Sequence, residues 1–207
     1  MKSIFWRTAA CAIAGLIGWA VMEPGMPIHP EDPRWGPAER MMVATVVCAI
    51  GLSAGTVMGI ELGSKRKAIL YAFLGLIVGL IAGSFGYTVG GQLVDALFGS
   101  AIFMTAGPQV VIARVIAFAP LGLFLGLALG AIRLNSRVLI SGAIGGLIAG
   151  AASGLIFDMV GMVTGPAMQA AKGGEETGAV GRAIFFSLLG GGIGLFTAWV
   201  EIATRQA

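Results

Sequence analysis

Apolar positions in this chain fall into long blocks broken by short polar stretches. From Ala68 to Val94 and from Val115 to Ile132 there is no Asp, Glu, Lys or Arg. A helix needs ~20 apolar residues to cross the hydrocarbon core of a bilayer, and each block is long enough. Dividing the chain at its polar and Pro-rich punctuation predicts six transmembrane helices, near residues 4–22, 39–62, 68–96, 112–133, 138–163 and 180–202. Pro24, Pro27, Pro30, Pro33 and Pro37 fill the segment 23–40. Proline lacks the amide a helix needs, so residues 23–38 are expected to form an exposed, semi-extended external loop. Loops around Phe98–Val110 and Gly165–Ala179 are expected on the same side.

Inside the blocks glycine recurs at every fourth position. The ladders are Gly51, Gly55, Gly59 and Gly63; Gly75, Gly79 and Gly83; Gly122, Gly126 and Gly130; Gly142, Gly146, Gly150 and Gly154; and Gly190 with Gly194. Residues four apart share one helix face. A face without side chains lets two backbones approach, where dispersion and weak Cα–H contacts replace the hydrophobic force that lipid cannot supply. The ladders therefore predict Gly-xxx-Gly helix packing ahead of a pore lining.

Three blocks also share a string, at Gly15-Leu16-Ile17-Gly18, Gly79-Leu80-Ile81-Ala82 and Gly146-Leu147-Ile148-Ala149. Each string is followed, after a loop, by a returning helix with a basic residue near its outer end: Arg40, Arg114 and Arg182. The last two returning helices match again at Leu121-Gly122 with Leu189-Gly190, and at Ser136-Arg137 with Thr204-Arg205. A two-span unit returns to its starting side, so three parallel hairpins around an axis near the membrane normal are expected. The predicted fold class is all-α, with residues 1–207 forming a single transmembrane domain.

Composition supports a lipid-embedded chain: 57% of residues are hydrophobic and 11% charged, against roughly 25% charged in soluble domains. The net charge of +3 does not signal nucleic acid, because the basic residues lie between apolar spans. Eight of the thirteen, Lys2, Arg7, Lys65, Arg66, Lys67, Arg133, Arg137 and Arg205, fall on one side of the predicted topology. Arg34, Arg40, Arg114, Lys172 and Arg182 share the other side with most of the acids. The positive-inside rule makes the first side cytoplasmic, which predicts a bacterial inner-membrane protein with both termini in the cytoplasm. Lys2 and Arg7 ahead of an apolar run also fit a secretory signal with a mediocre cleavage site at Gly18-Trp19-Ala20. The run Ile4–Met22 is long enough to span, and Trp19 with Glu23-Pro24 makes an interfacial end, so the spanning reading is taken.

Charge is confined to the ends of the spans. Asp95 and Asp158 close outward-going helices, and Arg114 and Arg182 open returning ones. An acid at a helix C-terminus and a cation at an N-terminus both oppose the macrodipole. Ion pairs of Asp95 with Arg114 and of Asp158 with Arg182 would offset these charges, although separate snorkelling into the headgroups is the favoured reading. Glu61, Arg133 and Glu201 lie near the other helix ends. Mid-span polar residues are small, Ser53, Thr56, Ser84 and Ser153, and such groups mostly bond to their own helix. Cys11 and Cys48 read as small apolar-facing residues, since neither has metal-ligand spacing. His29 beside Glu31 and Asp32 reads as a solvated loop, and Gly173-Gly174-Glu175-Glu176 as a flexible turn without the Lys-Ser/Thr of a phosphate loop. No metal, cofactor or enzymatic activity is expected.

Gly15-Leu16-Ile17-Gly18-Trp19 leading to Glu23-Pro24, Gly142 to Phe157-Asp158, Gly181-Arg182-Ala183-Ile184 and the closing Val200-Glu201 to Arg205-Gln206-Ala207 resemble an uncharacterised bacterial multi-pass membrane module. That module is often encoded with, or fused to, a forkhead-associated (FHA) domain, which binds phosphothreonine peptides. The resemblance implies a membrane-embedded anchor or partner in signalling, and spans nearly the whole chain. This sequence departs from the fused members in stopping at Ala207, so a separate subunit or a fragment is expected. Two functions follow from the residues. One is a non-enzymatic scaffold or anchor that contacts lipid and other membrane or signalling proteins, with a homo-oligomer compatible. The other is a small channel or transporter for an ion or neutral solute, disfavoured by the absence of mid-span charge.

Overall fold

The computed structural model describes residues 2–27, 32–99, 102–104, 108–132, 135–172 and 177–206, and their side chains except at 2, 3, 158, 160–172, 177, 178, 200, 201 and 203–206. Among the described residues there are six α-helices and no strand: α1 (Lys2–Met22), α2 (Trp35–Glu61), α3 (Lys65–Phe98), α4 (Pro108–Ala131), α5 (Ser136–Lys172) and α6 (Thr177–Gln206). Each contains a stretch long and apolar enough to cross a membrane. The protein is an all-α, multi-pass membrane protein. Helix is the only open-chain form that satisfies every backbone group in lipid.

The helix ends follow from local chemistry. Asp32 organises the start of α2, its backbone carbonyl accepting from the Trp35 amide (2.8 Å) and its Oδ1 from the Arg34 amide (2.8 Å). The Arg34 guanidinium also donates to this carboxylate, and the bond raises the pKa of Arg34. Gly63 (φ +73°) and Gly99 (φ +82°) stop α2 and α3 in the left-handed conformation that L side chains avoid. The Gly99 amide returns to the Asp95 carbonyl at 3.0 Å. Pro120 lies inside α4, which continues through it as one helix.

Several boundaries correct the expected ones. The Pro-rich segment is not wholly free of helix: Glu23–Gly25 form a 3-10 turn, and α2 begins at Trp35 with Pro37 in its first turn. A first-turn proline costs little, because its missing amide would have no intrahelical partner there. On the same side, α5 continues to Lys172, through most of the expected loop. Gly63 makes the turn after α2 and has nothing packed against it, so it does not belong to the ladder that precedes it.

The helices stand in a ring in chain order, each packed on the next, and α6 closes the ring on α1. The even-numbered helices also touch one another across the centre, and the odd-numbered ones lie outside, between them. Burial follows this division. α2 and α4 bury large side chains, whereas α3 buries Gly75, Gly79, Gly83, Gly86 and Gly90 with only Val94. Ile50, Leu121 and Leu189 of α2, α4 and α6 are fully buried in one cluster with Val46, Val47, Leu125, Leu129 and Ile193. Lipid outside is as apolar as this interior, so the cluster is held by dense dispersion contacts rather than by exclusion of water.

Candidate functional site

Three seams carry ladders of close glycine contacts, and in a fourth, α3–α4, Gly90 meets the Ala117 carbonyl. Between α4 and α5, a Cβ added at Gly122 or Gly126 would strike the backbone of Gly146 or Gly142, and Gly150 lies against the Phe118 carbonyl. At the end of that seam a Cβ on Gly130 would stand 2.7 Å from Leu139 Cα. Between α2 and α3, Gly51 meets Gly75, Gly55 meets the Tyr71 carbonyl, Gly79 faces the Val47 carbonyl and Gly59 meets Ala68. Gly83 lies against the Val47 side chain. Between α6 and α1, Gly190 lies on the Cys11 carbonyl, Gly194 on that of Arg7, and Gly15 on that of Phe186. In every seam a carbonyl of one helix points at a glycine of the other, a geometry suited to Cα–H···O contacts.

The rungs of the three seams step together by one helical turn. Gly51–Gly75, Gly122–Gly146 and Gly190–Cys11 occupy the same place, as do Val47–Gly79, Phe118–Gly150 and Phe186–Gly15. The contacts therefore set Gly79 in correspondence with Gly150, one turn beyond the Gly146 indicated by the shared string. The match of Leu121-Gly122 with Leu189-Gly190 holds in the contact register.

Arg182 and Asp95 show how the charges at the span ends are met. Arg182 donates from Nε to Glu23 Oε2 at 3.0 Å and from Nη2 to Oε1, so Glu23 is its partner among the described side chains. The guanidinium also lies 5.6 Å from the centre of the Trp35 ring. Arg182 opens α6 and Glu23 follows α1, so each opposes a helix macrodipole. The offsetting charge of Glu23 comes across the α6–α1 seam. Asp95 is exposed and makes no ion pair among the described residues, so Asp95 and Arg114 are not joined. The Arg114 guanidinium stands 4.4 Å over Phe157 and 6.0 Å from Phe103. The side chain of Asp158 lies outside the described residues, as do His29, Glu31 and 173–176.

A second pair had no partner in the sequence reading. Arg7 of α1 donates from Nε to Glu61 Oε1 of α2 at 2.9 Å, and from Nη2 to Oε2. Its side chain is 6% exposed, against 26% for Glu61. The backbone of Arg7 is also a rung against Gly194, so three helices meet at this residue. At the opposite end Glu23, Arg182 and Trp35 bring together the end of α1, α6 and α2. Two fork-like Arg–carboxylate pairs therefore clamp α1, α2 and α6 at both ends. A fork supplies two parallel charge-assisted bonds, which fixes orientation as well as attraction. One signal was readable: both acids sit at helix C-terminal ends and both arginines near N-terminal ends, each needing a counter-charge.

The hydroxyls of Ser153, Thr56, Ser141 and Thr197 turn back on their own helices. Ser153 donates to the Ala149 carbonyl (2.7 Å), Thr56 to Leu52 (2.7 Å) and Ser141 to Val138 (2.9 Å), while Thr197 donates to Ile193. Cys11 is buried and Cys48 partly so, both as free thiols. Among the described residues no three His, Cys, Asp or Glu side chains converge as a metal site. No known protein family, curated protein or solved structure matches this chain.

Proposed function

We propose that the protein is a non-enzymatic integral membrane scaffold or anchor. The observation that carries this reading is the filled centre of the ring, where Ile50, Leu121 and Leu189 meet with Leu125, Leu129 and Ile193, all with 1% exposure or less. A conduit needs a wet or polar lining, or an ionisable group near the midplane. The central cluster has neither, and Thr56 and Ser153 spend their hydroxyl protons on their own helices. What faces outward is apolar, such as Ile69, Phe73, Ile81 and Leu97 on α3. That leaves a rigid body offered to lipid and to other membrane proteins.

In this reading the chain is three hairpin repeats whose glycine faces meet at the seams. It sits in a bacterial inner membrane with the Lys65-Arg66-Lys67 turn and both termini in the cytoplasm. Its partners are membrane or signalling proteins, including ones that carry a forkhead-associated domain. Reconstituted protein should give vesicles no more permeable to ions or small neutral solutes than empty ones, and crosslinking in native membranes should trap a protein partner. Saturable solute flux would overturn the proposal. Reporters fused after Arg66 and Arg137 should read cytoplasmic and those within 28–36 external; the opposite pattern would overturn the orientation.

A further inference from the structure

The close approach of α2 and α3 has a consequence on the lipid face of the seam. Gly55 and Gly59 draw the helices together against Tyr71, Ala72 and Ala68, with no side chain between them. A Cβ at Gly55 would lie 3.2 Å from Ala72 Cα. Outside this contact the surface is a trough with alanines on its floor and larger residues on its banks. Its volume is about 400 Å³, and it opens to the surroundings, lined by Leu52, Thr56, Ala68, Ile69, Ala72, Phe73 and Leu76. Thr56 presents little polarity there, because its hydroxyl donates to the Leu52 carbonyl.

The trough runs into the turn that joins the two helices. Lys65, Arg66 and Lys67 stand there, exposed, immediately before Ala68. Among the described residues none of the three makes an ion pair. The nearest acid in sequence, Glu61, is already held by Arg7. These cations also open α3, where Ser64 makes no side-chain cap, so the positive end of the helix adds to their field. The apolar channel and the excess positive charge are thus contiguous.

We infer that this trough and its basic rim bind one anionic glycerophospholipid, with an acyl chain along Ala68, Ala72 and Leu76 and the phosphate at Lys65, Arg66 and Lys67. An acyl chain gains little by leaving bulk lipid for an apolar groove, so the trough provides shape and the rim provides selectivity. Three basic residues beside a lipid surface favour an anionic over a zwitterionic headgroup by roughly tenfold to a hundredfold.

Native mass spectrometry of the full chain, released from micelles containing equal amounts of dioleoyl phosphatidylglycerol and dioleoyl phosphatidylcholine, tests the site. Phosphatidylglycerol should be retained at least tenfold over phosphatidylcholine. The combined variant Lys65→Gln, Arg66→Gln, Lys67→Gln changes exposed side chains and leaves the one seam contact among them, the Lys67 carbonyl against Gly59, in place. It should melt as the parent does and lose that preference. Ala72→Phe fills the trough and should reduce retention of both lipids; where it fails to fold, quenching of a Phe73→Trp reporter by lipids with brominated acyl chains reads the same contact. Equal retention of the two lipids, unchanged preference in the glutamine variant, or a reporter quenched equally by brominated phosphatidylcholine would overturn the assignment.

Discussion

Between α4 and α5 glycine faces glycine on two rungs, Gly122 with Gly146 and Gly126 with Gly142. Between α6 and α1 no described rung does so, and the glycines facing that seam meet Cys11, Ala12, Arg7 or Phe186. The α2–α3 seam is intermediate, with the single pair Gly51–Gly75. The seams differ also in what joins their helices. A short connection leads from α4 to α5 and from α2 to α3, so those partners are held at high effective concentration. No loop connects α6 to α1. That seam is flanked by the Arg7–Glu61 and Glu23–Arg182 forks, which tie α1 to its neighbours at both ends. Facing glycines are most frequent where a short connection supplies proximity, and Arg–carboxylate forks flank the seam that has none.

The largest effect should come from filling a double-glycine rung. Gly126→Leu places a side chain where even a Cβ would strike the Gly142 backbone. Overpacking against backbone cannot be relieved by a rotamer change, so a loss above about 3 kcal/mol, seen as loss of folded protein in detergent, is expected. Leucine at Gly36, which has nothing within 4 Å, should leave the melting curve near the parent's.

Breaking the clamp should come next and should act on one seam only. Glu61→Gln leaves the Arg7 guanidinium short of its counter-charge and should cost about 2 kcal/mol, less than a fully buried pair because Glu61 is partly exposed. Cys11, buried behind α6, should then react faster with a maleimide, and the exchange Arg7→Glu with Glu61→Arg should restore protection. Unchanged Cys11 protection in Glu61→Gln would separate the charges from ring closure. Arg182→Lys keeps the charge and loses the fork, so a smaller loss of about 1 kcal/mol is expected in the same melting assay.

The sequence was most legible where one residue type repeats on one face. The apolar blocks locate all six helices, and the four-residue glycine spacing identifies the faces that meet at Gly51, Gly79, Gly126 and Gly146. Partner choice was much less legible. Asp158 and Arg182 are close in sequence, and nothing in their spacing shows that α1 closes the ring and brings Glu23 to Arg182. Arg7 read as an orientation signal because its partner, Glu61, lies in another span. The string alignment slipped by one turn at Gly146 because the neighbouring rungs are also glycine, and only backbone contact distinguishes Gly146 from Gly150. Pro37 read as a helix breaker, although in a first turn it breaks nothing.

The architecture rests on α6 closing the ring on α1, and a disulfide across that seam tests it directly. A Cβ on Gly191 would lie 3.3 Å from Ala12 Cβ, near the 3.5–4.5 Å span of disulfide-bonded residues (mean about 3.8 Å). With Cys11 and Cys48 replaced by alanine, Ala12→Cys and Gly191→Cys should crosslink within one chain on mild oxidation in native membranes. The pair Ala12→Cys and Ile81→Cys, with Ile81 on the outer face of α3, should not. Absence of the first crosslink, or equal crosslinking of both pairs, would contradict the closed ring.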